Sequence, residues 1–266
     1  MAILTSSEDD LKVITSMQEN MAAHMLFLPE RLPSCTVLRA QEIMMIDSHV
    51  QDSSLNLVFK ARLQDENASE VVDSTIAYFQ REQMPFSWWV CPDDMPAELP
   101  HILEGAGLTE TETYVGMSLV IEHYGYEQIE LRIERVLESE QKEDYANLMI
   151  ELHQRDSTAQ EWYHQFQDIE FSLSDYEQFY VGYLDETPVC AGSVTLHSDV
   201  AGIYNLVTRS RYRRRGFATA MIQELLIRSQ EAGYATAVLI AQKDALGLYE
   251  KLGFERLCEF SVFENR

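Results

Sequence analysis

Five arginines, Arg209, Arg211, Arg213, Arg214 and Arg215, fall within seven residues of a chain that has 20 Lys plus Arg against 44 Asp plus Glu. A cation cluster in so acidic a chain points to an anionic ligand. Gly216 follows, and the apolar positions Phe217, Met221, Ile222, Leu225 and Leu226 recur at helical spacing directly behind it. A helix N-terminus presents unpaired backbone N–H groups and a partial positive charge, so it is a natural anion site. Glycine at 216 lets the backbone approach a ligand, and small Ala218 and Thr219 leave room on the first turn. Flanking guanidinium groups add charge-assisted hydrogen bonds. Together these features suit a phosphate or pyrophosphate better than a single carboxylate. The competing reading, for each arginine, is an exposed ion pair with one of the many surface acids.

The elements that must position this turn are legible around it. The stretches 188–197 and 201–207 are apolar, β-branched runs separated by a short polar link, as in a hairpin. The helix from Phe217 ends at Gly233, and 235–241 is a continuous apolar run of the kind expected of a buried strand. A short helix follows, with Asp244 as its expected N-cap and Gly253 at its end, and 256–264 alternates as a final strand. The first half repeats the order more weakly: strand 55–63, helix 69–83, strand 86–92, helix 96–108, strand 112–122. "LEGAGL" (103–108) and "YEKLGF" (249–254) both close a helix with glycine and a large apolar residue. The boundary is expected around 123–130, after which 131–141 restarts a strand and a helix.

Arg213-x-x-Gly216-x-Ala218, set between a strand and a helix, resembles the coenzyme A pyrophosphate loop of the GNAT superfamily of acyl-CoA N-acyltransferases. "LYEKLGF" (248–254) resembles the last-helix motif of the same family, in the right order and at the right distance. The resemblance implies an α/β (α+β) fold of two GNAT-like domains, each a mixed, mostly antiparallel central sheet flanked by helices. Residues 1–125 would form a degenerate GNAT-like domain and 126–266 the acetyltransferase domain. It also implies acetyl-CoA as co-substrate, with no metal. Pantetheine would lie against the backbone of Leu206, Val207 and Thr208. The pyrophosphate would sit on the loop Arg213, Arg214, Arg215, Gly216, Phe217, Ala218 and Thr219. Tyr249 matches the position of the family's acid, a phenol that protonates the departing thiolate; the alternative is a tyrosine packed in the core. A backbone N–H in the strand would polarise the acyl carbonyl.

The acceptor amine must be neutral to attack, which calls for a base. His197, Asp199, Glu170 and a water held by Asn205 are the candidates, and the sequence does not choose among them. Where many family members carry an Asn seven residues before the acid, this chain has Gln242, whose amide offers the same hydrogen bonds on a longer arm. In the first half, "QDENASE" (64–70) stands where a phosphate loop would, and Asp65, Glu66 and Glu70 repel a pyrophosphate. Leu103 occupies the place of Tyr249. That half is expected neither to bind coenzyme A nor to catalyse, but to shape the acceptor site or stabilise the fold. Trp88, Trp89 and Pro92 are its candidates for an acceptor pocket, with core packing as the alternative.

The remaining composition sets limits. A formal charge of −24 argues against nonspecific nucleic-acid binding and against anionic membrane surfaces. The start of the chain lacks the pattern of a signal peptide, and no apolar run approaches membrane-spanning length. Cys35, Cys91, Cys190 and Cys258 stand far apart without metal-ligand spacing, and read as reduced thiols of a cytoplasmic protein, a monomer or homodimer. The expected activity is acetyl-CoA-dependent acetylation of a primary amine on a small molecule or protein. The alternative is an acetyl-CoA-binding sensor without turnover.

Overall fold

The computed structural model describes residues 3–4, 7–40, 42–121, 129–153 and 157–265. In chain order the elements are α1 (Glu8–Phe27), β1 (Thr36–Arg39), β2 (Met44–Asp47), β3 (Leu57–Phe59), α2 (Ala68–Glu82), β4 (Ser87–Val90), α3 (Leu99–Gly105) and β5 (Leu108–Val120). The second half adds β6 (Arg132–Arg135), α4 (Ser139–His153), α5 (Ser157–His164), β7 (Glu177–Leu184), β8 (Thr187–His197), β9 (Val200–Thr208), α6 (Phe217–Glu231), β10 (Thr236–Gln242), α7 (Leu246–Lys251) and β11 (Glu255–Asn265). Most of the expected boundary, 122–128, lies outside the described residues.

Local chemistry accounts for the elements around the loop. The β8–β9 hairpin turns through Ser198 and Asp199, both at positive φ, the pairing of a tight turn whose twist matches the flanking strands. Helix α6 buries Phe217, Met221, Ile222, Leu225 and Leu226, the stripe expected from spacing. Each such side chain, fully buried, stabilises by roughly 1.5–3 kcal/mol before entropy is counted. One expected cap is corrected: Ala245, not Asp244, is the N-cap of α7, and it makes no side-chain capping bond. Asp244 is exposed one residue too early, because the chain leaving β10 first makes a turn closed by the Ala245 N–H donating to the Gln242 carbonyl at 3.0 Å.

All eleven strands form one sheet in the order β1-β2-β3-β4-β11-β5-β10-β9-β8-β7-β6. It is antiparallel except at β3–β4 and β9–β10. The two parallel pairs occupy equivalent places on either side of the central β11–β5 pair, so the strand order of one half mirrors that of the other. At the centre the last strands change sides. β5 pairs with β10 of the second half, and β11 pairs with β4 of the first. Helix α6 covers one face of the second half, whereas α1 and α4 cover the opposite face. Among the described residues no helix is long and apolar enough to cross a membrane.

Candidate active site

The two parallel pairs differ in what happens beyond their last shared residues. β9 and β10 pair only at Ala201 with Ala237 and Gly202 with Val238, and then diverge. From Ile203 onward β9 has no ladder to β10, which leaves a wedge between the strands. At the corresponding place in the first half the gap is closed. The Met95 N–H donates to Ala61 O and the Leu63 N–H to Met95 O, both at 3.1 Å, while Arg62 ties the same segment through Asp93.

A bulge shapes the wall of the wedge. The β8–β9 register shifts between Ala191 and Ser193, and Asn205 takes φ 54°. Asn205 Nδ2 donates to Ser193 Oγ at 3.2 Å, which holds this left-handed residue in place. The side chains of Ile203 and Leu206 join the core under α6, and that of Val207 joins the core under α4. Thr208 Oγ1 is buried without a hydrogen-bond partner.

The arginine turn follows β9 as a single 3-10 turn, Ser210–Tyr212, and leads into α6 through Gly216. Gly216 is the N-cap at φ 86°, a backbone angle that selects glycine, while a Cβ there would meet only the movable Cδ1 end of Ile129, at 2.8 Å. No side chain caps the helix, so the first N–H groups of Phe217, Ala218 and Thr219 stay open to a ligand. Phe217 itself is buried in the core, while Ala218 and Thr219 are half-buried.

The five arginines separate by role. Arg209 is structural: its guanidinium lies 2.8 Å from Glu151 Oε2 and donates to Pro188 O at 2.8 Å. Arg213 Nε donates to Thr208 O at 3.1 Å and leaves the rest of its guanidinium exposed. Arg211 and Arg215 flank the Tyr212 ring, 5.0 and 5.6 Å from its centre. Among the described residues, Arg211, Arg213, Arg214 and Arg215 form no ion pair, so the surface-pairing reading holds only for Arg209.

Tyr249 packs on the α6-side core, edge-on to Phe254 at 6.0 Å. Its hydroxyl makes no hydrogen bond among the described residues, and burial pushes the phenol up to about 12. It therefore keeps its proton throughout the neutral range. Leu103, its counterpart in the first half, is fully buried.

On the α1 and α4 face lies a cavity of about 740 Å³ that reaches Asn205 of β9 together with Ile240 and Gln242 of β10, at the divergence of the two strands. Its walls are aromatic, including Trp89, Tyr114, Trp162 and Tyr204. Both halves of the chain contribute. Glu112 and Glu264 line it, and no Lys or Arg does. Gln242 donates to Glu112 at 3.4 Å, and Tyr114 donates to the same carboxylate.

Of the expected pocket residues, Trp89 lines the cavity. Trp88 takes the core alternative, fully buried against the helices of the first half, and Pro92 lies outside the lining. Among the base candidates only Asn205 reaches the cavity. His197 and Asp199 sit at the β8–β9 hairpin, about 16 Å along β9 from Asn205 at some 3.3 Å per residue. Glu170 is exposed beyond a turn at Gln165–Asp168. His24 and Glu177 were missed. They lie 153 positions apart, and the available signal was a polar side chain on the Met17, Met21, Leu28 face of α1.

With this geometry established, comparison with known proteins adds a family match in the second half: residues 135–254 match the Acetyltransferase (GNAT) family. The match spans a little under half of the chain. Solved structures extend the likeness in fold over nearly the whole chain. A GCN5-related N-acetyltransferase from Kribbella flavida superposes with TM-score 0.70 at 14% identity, over 94% of this chain and 95% of that one. Another from Sphaerobacter thermophilus gives 0.64 at 12%, over 96% and 91%. A tandem GNAT protein from the clavulanic acid biosynthesis pathway gives 0.61 at 11%, over 99% and 97%. No curated protein matches the chain. The GNAT fold and family are those of acyl-CoA N-acyltransferases, and the wedge, the glycine-capped helix and the adjoining cavity are the parts of this chain available for that chemistry.

Proposed function

We propose that the protein is an acetyl-CoA-dependent N-acetyltransferase that acetylates a primary amine of a small molecule or protein. The observation that carries this reading is the divergence of β9 from β10 directly beside a glycine-capped helix N-terminus. The residues present fit coenzyme A. Leu206, Val207 and Thr208 offer strand backbone with no ladder to β10, and Thr208 adds a buried hydroxyl in need of a partner. The N–H groups of α6, with Arg213, Arg214 and Arg215, which form no ion pair among the described residues, offer donors for a pyrophosphate. Acetyl-CoA, when bound, supplies the activated acyl group as a thioester. Tyr249 holds a proton for the sulfur that leaves.

We further propose two GNAT-like halves, 1–125 and 126–266, of which only the second takes coenzyme A. The closed gap at Ala61–Leu63 and Met95, and the glycine-free start of α2 with exposed Asp65, Glu66 and Glu70, support this. The first half instead builds the acceptor cavity, through Trp89 and through α1.

The test joins calorimetric titration of coenzyme A with thiol release from acetyl-CoA across amines, amino acids and peptides. Arg213→Ala and Gly216→Asp should each weaken binding about tenfold or more, as expected when charge-assisted hydrogen bonds of about 1.5–3 kcal/mol are lost. Unchanged affinity in both variants refutes the loop. Tight binding without turnover on any acceptor replaces the enzyme with a sensor.

A further inference from the structure

Glu177 on β7 is 1% exposed, and its surroundings account for both oxygens. Oε2 accepts from Thr195 Oγ1, and Oε1 lies 3.0 Å from Nδ1 of His24 on α1. With Glu177 as a carboxylate, which only accepts, the contact takes its hydrogen from Nδ1. That tautomer leaves the Nε2 lone pair free, and Nε2 has no partner among the described residues. The His24 ring is stacked on Tyr204, with centroids 4.0 Å apart and planes at 10°, and it lines the acceptor cavity. Tyr204 immediately precedes Asn205, the bulged residue beside the wedge. A buried acid thus orients an imidazole that lines the cavity where an acceptor amine would meet the acyl group.

We propose that His24 is the general base of the acyl transfer and that Glu177 is its positioning residue. This rests on the acetyltransferase reading of the same site. His24 Nε2 removes a proton from the acceptor nitrogen as that nitrogen forms its bond to the acyl carbon. The carbon–sulfur bond breaks with its electron pair on sulfur, and Tyr249 protonates the sulfur. His24 then returns its proton to solvent and Tyr249 recovers one, so the sum exchanges an N–H for an S–H. The base comes from the first half of the chain and the acid from the second, so the reaction would require both. Ionisable groups near the pair include the phenols of Tyr145, Tyr176 and Tyr204, which burial and then the charge of Glu177 raise, with Arg31 opposing at Tyr176; His197 packs against Tyr176, and Glu112 and Glu264 line the same cavity.

The experiment measures thiol release by the full chain between pH 6 and 9, with the amine found to turn over best, for wild type, His24→Ala, His24→Gln and Glu177→Gln. General bases contribute about 10²–10⁴-fold. Both His24 variants should lose at least about 100-fold in kcat with the KM for acetyl-CoA unchanged, and their acid limb should flatten. Added imidazole should restore part of the rate to His24→Ala, which a packing defect would not allow. Glu177→Gln should lower kcat less and displace the limb. Wild-type turnover with full rate and an intact acid limb in a folded His24 variant overturns the base alone. Wild-type protein that binds coenzyme A but releases no thiol with any acceptor overturns the acyl-transfer reading, and the base with it.

Discussion

Asn20 is the residue on which the placement of α1 depends. It is fully buried, and its Nδ2 lies 2.8, 2.9 and 3.0 Å from the carbonyl oxygens of Thr195, His197 and Val200. Its Oδ1 accepts from Tyr204 Oη at 3.0 Å. One amide thus binds both strands of the β8–β9 hairpin and the tyrosine beneath His24. A net hydrogen bond contributes about 0.5–1.5 kcal/mol. Two amide hydrogens shared among three carbonyls, with the phenol, amount to about three full bonds. Asn20→Ala should therefore cost about 2–4 kcal/mol, including the partners left unsatisfied. Asn20→Asp keeps the shape but turns the donors into an acceptor facing three carbonyl oxygens, and should cost at least as much. Urea unfolding monitored by tryptophan fluorescence reads the loss as a lower midpoint at unchanged m. His24 lies four residues on, one turn along the same helix face, so kcat should fall with stability. A cost below about 1 kcal/mol for Asn20→Ala would refute the clamp, since its geometry allows no smaller value on this reasoning.

Two further predictions concern titrating groups. Tyr249→Phe should lower kcat at least about tenfold while calorimetric coenzyme A affinity stays constant, and an unaltered rate removes its acid role. Because the phenol is pushed up to about 12, the wild-type profile should show no limb from it near neutrality. Asp94 is the clearest source of pH-dependent stability. Burial raises its carboxyl to about 7, with the Cys91 N–H at 2.9 Å, the nearby Arg62 charge and the Ala61 backbone opposing the rise only in part. The folded protein then binds this proton more tightly than the unfolded chain does. Its contribution is full below the ordinary pKa of 3.8 and is lost as pH rises through about 7. Asp94→Asn should flatten the stability profile between pH 4 and 8, with a differential on the order of a few kcal/mol, read as urea midpoints at the two ends. Parallel profiles for the two proteins refute the assignment.

Much of the cofactor side was legible in the chain because it is local. Arg213, Gly216 and Ala218 act through one turn and the first turn of one helix, and their spacing alone describes that geometry. Gly216 must take a positive φ, and α6 must begin behind it, whatever surrounds them. Tyr249 and its closing Gly253 are equally confined to a single short helix. The acid-rich stretch at 64–70 likewise carries, in residue type alone, the proposal that the first half takes no pyrophosphate.

The acceptor side was decided only by tertiary structure. His24 and Glu177 meet because α1 crosses onto the sheet of the second half, held there by Asn20, and no periodicity links positions 153 residues apart. The shared sheet was equally hidden. β5 and β11 read as ordinary closing strands, and alternation specifies which face a strand buries but not which neighbour it chooses. Their exchange inserts β11 between β4 and β5, and across it Trp89 and Tyr114 stack with ring centroids 5.0 Å apart in the wall of a cavity lined from both halves. Local sequence could determine the proposed anion site, because backbone angle and charge are set within a few residues. What faces it across the sheet depended on long-range pairing, which only the folded chain supplies.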